Sequence, residues 1–345
     1  MSDSVSVSAY AEVKSSLSGR AHLLLGNGFS IACDPIFRYQ SLYDVAVAAG
    51  LSPKAQAAFA RLGTNNFEGV LRLLEDAHWL CGEYGIEHPN TKRILDDVDV
   101  VKNTLVQAVT ASHLEHSGCV PEPKKEAARD FLKPFHNIFT TNYDLLLYWT
   151  ILSGARVSHG DGFRSDEDDP QAPYVVFTER LGGAKGVFFL HGALHLHVRG
   201  GQLRKHCWNR TQRRLTDQIR ESLARSEYPL IVAEGHPDKK LEQIERNGYL
   251  WYALDKLHRI EGPLVVFGHS LGPSDQHIVN AIGAAEKLDR VFVSLHGNPD
   301  SAANLQVRAA AERMKALRGA RMALRGRGKD LEVSFFSAET ARPWG

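Results

Sequence analysis

Seven short apolar runs punctuate this chain: Ala21–Gly26, Asn137–Thr141, Val187–His191, Pro229–Ala233, Pro263–Gly268, Arg290–Leu295 and Leu331–Phe336. Runs of this length with almost no polar interruption suit strands buried on both faces, as in a parallel sheet covered by helices. Between them, apolar residues fall at helical spacing. Phe67, Val70, Leu71, Leu73 and Leu74 make one stripe, Leu250, Tyr252, Leu254 and Leu257 a second, and Leu305, Val307, Ala311 and Met314 a third. Strands alternating with helices predict an open α/β fold, doubly wound around a mostly parallel sheet.

The spacing of the runs is uneven. The first ends near Gly26 and the next begins near His136, and the roughly 110 residues between them are too many for one crossover and too patterned for a loop. Residues 45–130 are therefore expected to form a mostly helical insertion. Residues 195–226 are expected to form a small flap, or a hairpin with a helix. The acidic, turn-rich stretch Asp161–Pro170 reads as an exposed loop. No repeat or low-complexity tract divides the 345 residues, which read as a single domain.

Charge and cysteine usage narrow the class. With 41 Lys+Arg against 40 Asp+Glu, nothing favours nucleic acid as a direct ligand or a membrane surface as a partner. The basic cluster Arg313, Lys315, Arg318, Arg321, Arg325, Arg327 and Lys329 reads as a solvated face. Cys33, Cys81, Cys119 and Cys207 form no C-x-x-C pair, so reduced thiols are expected rather than disulfides or a zinc ribbon. The start of the chain lacks the pattern of a signal peptide, and no apolar run nears the ~20 residues of a membrane span. A cytoplasmic location follows as the expectation.

Chemistry gathers where the strands end. Leu23-Leu24-Leu25-Gly26-Asn27-Gly28-Phe29-Ser30 reads as a strand turning sharply into a helix, of Rossmann-like character. Small residues there let a backbone approach a pyrophosphate, and a helix N-terminus supplies N–H donors. The full G-x-G-x-x-G fingerprint is absent, because Ala32 and Cys33 follow, and a tight turn that binds nothing explains the motif equally well. Thr140-Thr141-Asn142-Tyr143-Asp144 closes the second strand, where ligands bind in open α/β sheets; capping of the next helix by Asn142 or Asp144 is the plainer explanation. His191-Gly192 closes the third strand, where an imidazole can act as a general base. A half-buried histidine bonded to a carbonyl is the commoner case.

The ordered series Gly26-Asn27-Gly28-Phe29-Ser30, Thr140-Thr141-Asn142-Tyr143-Asp144, Leu190-His191-Gly192 and Gly268-His269-Ser270-Leu271-Gly272 resembles that of bacterial SIR2-like NAD-binding proteins, most nearly the DUF4917 group. The resemblance spans roughly Ala21 to Pro299 and implies one SIR2-like domain. It implies that Gly26, Asn27, Gly28 and Ser30 hold the NAD pyrophosphate. Phe37-Arg38 is similar to a pair that flanks the nicotinamide ribose, although Cys33-Asp34-Pro35 departs from the usual wording. Thr141, Asn142 and Asp144 would face the reacting ribose, His191 would be the catalytic histidine, and Gly268, Ser270 and Leu271 would line the adenosine side. Asp275 follows at the next helix start.

The implied activity is NAD+ glycohydrolysis, with NAD as substrate. The nicotinamide–ribose bond breaks through an oxocarbenium-like state. His191 would take a proton from water or a ribose hydroxyl, worth ~10²–10⁴-fold, and Asn142 would orient that group. The absent four-cysteine ribbon disfavours protein deacylation, and no zinc is expected; His191, His195, His197 and Cys207 form a minor metal-like cluster. ADP-ribosyl transfer, cyclisation, or a catalytically silent NAD- or ADP-ribose-binding subunit are the alternatives. The resemblance further implies an NAD-depleting effector of anti-phage defence, a homo-oligomer, and a partner ATPase or other defence protein. The segment Glu234–Lys240 recurs in the group without an assigned role, and Glu234 could face the cleft.

Overall fold

The computed structural model describes residues 5–345 apart from 18, 63–66, 87–88, 153–158, 182–184, 226, 228, 233–236 and 327. Its strands in chain order are β1 (Val7–Ser8), β2 (His22–Leu25), β3 (Asn137–Thr140), β4 (His159–Gly160), β5 (Phe163–Arg164), β6 (Tyr174–Phe177) and β7 (Lys185–Phe189). β8 (Gly192–Arg199), β9 (Gln202–His206), β10 (Pro229–Ile231), β11 (Leu264–Phe267), β12 (Arg290–Leu295) and β13 (Glu332–Ser337) complete them.

Eight of these form one sheet in the order β1-β13-β12-β11-β2-β3-β7-β4, with every pairing parallel. The fold is the α/β, Rossmann-like class read from the sequence. Its six inner strands, β7-β3-β2-β11-β12-β13, follow the 3-2-1-4-5-6 order of doubly wound sheets, which puts the topological switch between β2 and β11. The sequence dictates this core: His22–Leu25 and Leu264–Phe267 are buried at every position, and such strands are stable only with both faces covered.

The chain between β2 and β3 runs through helices Asn27–Cys33, Tyr39–Ala48, Pro53–Leu62, Phe67–Glu83, Pro89–Ser112 and Glu122–Leu132. Phe59 packs edge-on against Phe67 at 5.0 Å, and Val101, Leu105 and Ala108 bury the inner side of the long helix. On the far side of the sheet, helix Ala302–Arg325 packs along helix Gln276–Ala284.

Arg318 departs from the solvated face expected of its basic stretch. It is 2% exposed and donates to the carbonyls of Gly283 (3.1 Å), Leu288 (2.8 Å) and Lys329 (3.2 Å), and also to that of Ala285. The Gly283, Ala285 and Leu288 carbonyls belong to the end of one helix and its following turn, and the guanidinium ties them to the segment before β13 through Lys329.

Pro229–Ile231 does not join the parallel sheet. It is the edge of a second, antiparallel sheet, β10-β8-β9-β6-β5, paired with β8. All three of its residues are only half-buried, the exposure of an edge rather than a core strand. The acidic stretch 161–170 is also more than a loop. Phe163–Arg164 pairs with β6, Asp161 binds Lys205, and buried Asp166 caps the N–H of Asp168 at 3.2 Å. No helix of the described residues is long and apolar enough to cross a membrane.

Candidate active site at the strand ends

Four neighbouring strands end level with one another. Leu25 pairs with Phe267 on one side and Thr140 on the other, and Thr140 pairs with Phe189. The next residues out are Gly26 and Gly268, flanking the switch point. One step further, Asn142 and His191 stand at matched positions beyond β3 and β7. Parallel neighbours lie ~4.8 Å apart, so this row of ends places the sequence motifs side by side.

The glycines are required by the protein itself. Gly26 N–H donates to Phe267 O at 2.9 Å, and Gly28 N–H to Gly268 O at 2.8 Å. A Cβ on Gly26 would lie 2.5 Å from the Gly268 oxygen, and one on Gly28 would lie 2.5 Å from Gly268 Cα. Gly268 adopts φ +66°, left-handed geometry that favours glycine. The turn is therefore a backbone-to-backbone interlock between the ends of β2 and β11. It spends the N–H groups of Gly26 and Gly28 internally rather than leaving them as donors for a phosphate. Asn27 Nδ2 is likewise committed, to Phe37 O at 2.9 Å.

Beyond β3 a buried polar triplet forms. Asn142 Nδ2 donates to Gly26 O at 3.1 Å and to Ser30 Oγ at 2.9 Å. Ser30 Oγ in turn donates to Asp144 Oδ2 at 2.5 Å. Both amide hydrogens of Asn142 are thus used, which fixes its rotamer and leaves Oδ1 as the acceptor available to a ligand. Asp144 also has the plainer role of a cap, its Oδ1 accepting from Leu146 N–H at 2.9 Å. Capping and placement of Ser30 coexist in one carboxylate. Behind it, His113 Nε2 accepts from Leu145 N–H at 2.8 Å while Nδ1 donates to Leu114 O at 2.9 Å. Burial pushes His113 below the usual histidine range, with Asp144 partly opposing.

Beyond β7 lies a second cluster. His191 is 2% exposed, and its Nε2 meets His277 Nε2 at 2.8 Å and stands 3.7 Å from Asp275 Oδ1. Lys240 Nζ donates to the same Oδ1 at 2.9 Å, and His269 Nε2 lies 3.7 Å from Oδ2. Burial drives His191 well below its ordinary pKa, Lys240 adds to this, and Asp275 pulls the other way. Burial likewise lowers His277 to about 4. Burial alone would raise Asp275, but Lys240 and the three histidines hold its carboxyl well below the usual range. At neutral pH the cluster is therefore one carboxylate, one ammonium and neutral imidazoles. His191, Asp275 and His277 bring donor atoms within 4.8 Å of one another, a mixture that divalent cations accept. Lys240 already supplies the positive partner.

Gly26, Gly28, Ser30, Asn142, Asp144 and Gly268 come together, with His191 one strand further along. Thr141 continues β3 through its N–H to Leu25 O at 3.1 Å. Phe37 is buried edge-on against His113 at 5.5 Å, whereas Arg38 is exposed at the end of a short turn. Ser270 is exposed and Leu271 fully buried at φ 49°. His195, His197 and Cys207 do not gather on His191. His195 lies against Tyr148 and Phe189 at 4.5 and 5.1 Å, and His197 stacks on His206 at 4.3 Å. These two follow the pleat of β8 into the antiparallel sheet, away from the strand end.

Lys240, His269 and His277 were not singled out as site residues. A usable signal was present: His269, Asp275 and His277 crowd nine residues directly after a buried strand. Of Glu234–Lys240, residues 234–236 lie outside the described residues.

A family model described as "Domain of unknown function (DUF4917)" matches residues 23–344. No curated protein matches the chain.

Proposed function

The chain belongs to the DUF4917 family, and we propose that it is a SIR2-like NAD+ hydrolase that cleaves the nicotinamide–ribose bond to release nicotinamide and ADP-ribose. The observation that carries this reading is the matched placement of Asn142 and His191 beyond paired residues of β3 and β7, beside the switch point where open α/β sheets take their ligands. The dinucleotide would lie beside the interlocked turn of Gly26, Gly28 and Gly268, with the exposed Ser270 hydroxyl on the adenosine side.

Chemically the site needs little. NAD carries its own leaving group, since nicotinamide departs neutral from a cationic ring. Asn142 Oδ1 orients the attacking water or a ribose hydroxyl. His191, neutral at physiological pH for the reasons above, accepts its proton. The developing positive charge on the ribose has Asp144 nearby as a counter-charge, fixed through Ser30. Water as acceptor agrees with the lack of a cysteine ribbon; the SIR2-like resemblance adds a role in NAD depletion during phage defence, homo-oligomeric assembly and an ATPase partner.

A catalytically silent NAD- or ADP-ribose-binding subunit is the second reading. The burial of His191 (2% exposed) and Asn142 (9% exposed) favours it, because a working base must reach its substrate. Chromatography of nicotinamide after incubating the purified protein with NAD separates the two. Release that disappears in His191→Ala and Asn142→Ala supports the hydrolase. Binding of NAD without release in the wild-type protein favours the silent subunit.

A further inference from the structure

Two imidazole nitrogens 2.8 Å apart make a hydrogen bond only when one carries hydrogen and the other a lone pair. For His191 and His277 the neighbours decide which is which. Asp275 Oδ1 lies 3.7 Å from His191 Nε2. A carboxylate this near favours a hydrogen on Nε2 over a lone pair there, even with that hydrogen directed at His277. His269 obeys the same rule. Its Nδ1 accepts from Leu271 N–H at 2.9 Å, so its hydrogen sits on Nε2, the atom 3.7 Å from Asp275 Oδ2. Lys240 completes the ring from helix Pro237–Arg246, donating to Oδ1 at 2.9 Å with its own side chain 0% exposed. Asp275 thus accepts one hydrogen bond, from Lys240, and has the Nε2 atoms of His191 and His269 each 3.7 Å from an oxygen, close enough to feel its charge but not to bond to it.

We infer that His277 and Asp275 are positioning residues for His191. His277 accepts the Nε2–H of His191 and so fixes the tautomer that leaves Nδ1 as the proton acceptor, while Asp275, held by Lys240, stands beside the imidazolium that forms. This is the logic by which a hydrogen bond to one ring nitrogen sets the basicity of the other. In this arrangement His277 carries its hydrogen on Nδ1, an atom that is buried without a hydrogen-bond partner among the described residues. The unsatisfied group costs stability.

No atom is consumed in this role. A proton passes from water or a ribose hydroxyl to His191 Nδ1, the Nε2–H bond to His277 stays intact, and the imidazolium returns the proton to solvent after product leaves. The inference rests on the hydrolase reading for the identity of the substrate, but the tautomer itself does not.

The experiment is long-range ¹H–¹⁵N correlation NMR on the full chain with ring-labelled histidine, using His191→Asn to assign the signal, together with NAD turnover. The wild-type protein should show His191 as the Nε2–H tautomer. His277→Leu should scramble it and lower kcat about tenfold or more, with KM changed by less than about threefold. His277→Gln, whose amide oxygen can take the same hydrogen, should restore both, and also guards against a Leu variant that fails to fold. An Nδ1–H tautomer at His191 in the wild-type protein overturns the inference, as does an unchanged spectrum in His277→Leu. Stoichiometric uptake of Zn²⁺ that shifts both ring signals also overturns it, by showing that the cluster is a metal site. The stated tautomer in a protein that never releases nicotinamide sustains the positioning and removes the hydrolase.

Discussion

The interlock of β2 and β11 makes a quantitative prediction for Gly268→Ala. A Cβ there would stand 2.6 Å from Gly28 Cα, 2.8 Å from Gly28 C and 2.8 Å from Phe29 N. All three are backbone atoms, so no side-chain rotation relieves the overlap. Overpacking of this kind costs ~1–3 kcal/mol, and left-handed φ adds ~1–2 kcal/mol for a residue with a Cβ. Gly200 separates the two effects, because it has φ +59° and nothing within 4 Å. Gly200→Ala bears only the conformational part. An unfolding entropy of ~2.1 cal/mol/K per residue implies about 0.7 kcal/mol/K for a chain of this size. Gly268→Ala should then lower Tm by roughly 3–7 °C, and Gly200→Ala by roughly 1–3 °C. Scanning calorimetry of the two variants beside the wild type reads this directly. If Gly268→Ala melts within about 1 °C of Gly200→Ala, the strand ends do not touch as described, and the glycine turn is left to a ligand to explain.

Acid should destabilise the fold well before its carboxylates titrate. Burial lowers His22, His159, His197 and His277 to about 4 and His206 to about 3. Because the folded values lie below the unfolded one, the unfolded chain binds the protons that the folded chain refuses. Stability is therefore full above pH ~6.5 and falls as pH drops towards ~4; a Tm flat from pH 7 to about 4.5 contradicts this. Lys240→Met leaves Asp275 buried without its ammonium and should cost ~3–5 kcal/mol, or about 4–7 °C in Tm. Adding Asp275→Leu should recover most of that loss, and a single variant that melts with the wild type refutes the buried pair.

The parallel core was legible in the sequence because its strands are buried on both faces and so are apolar nearly throughout, as in Leu264–Phe267. Shorter and half-exposed strands gave no such signal. Val7–Ser8 and His159–Gly160 have two residues each, and Gln202–His206 reads QLRKH, too polar to stand out. The run Pro229–Ala233 reads like the core strands, yet its Pro229–Ile231 part forms an edge of the antiparallel sheet, because a short apolar run does not disclose whether one face or two will be covered.

In the site, Asn142 and His191 were marked by their places at strand ends, and the resemblance supplied their roles. The partners of His191 were hidden for a different reason. Lys240 lies in PDKKLEQIER, which reads as a solvated amphipathic helix, and a fully buried lysine is rare enough to be passed over. Its burial follows only once Asp275 is brought to it by the turn after β11, 35 residues later in the chain. The glycine turn shows the converse. Its spacing suggested a phosphate cradle, while the third participant in its packing, Gly268, comes from a distant strand that local spacing cannot reveal.

Nicotinamide release from NAD by the purified full chain tests the central claim most directly, measured beside His191→Ala and Asn142→Ala with circular dichroism to confirm that each variant is folded. The account predicts steady release by the wild-type protein and its loss in both variants, with helical content unchanged. Near-wild-type release by either folded variant would contradict it.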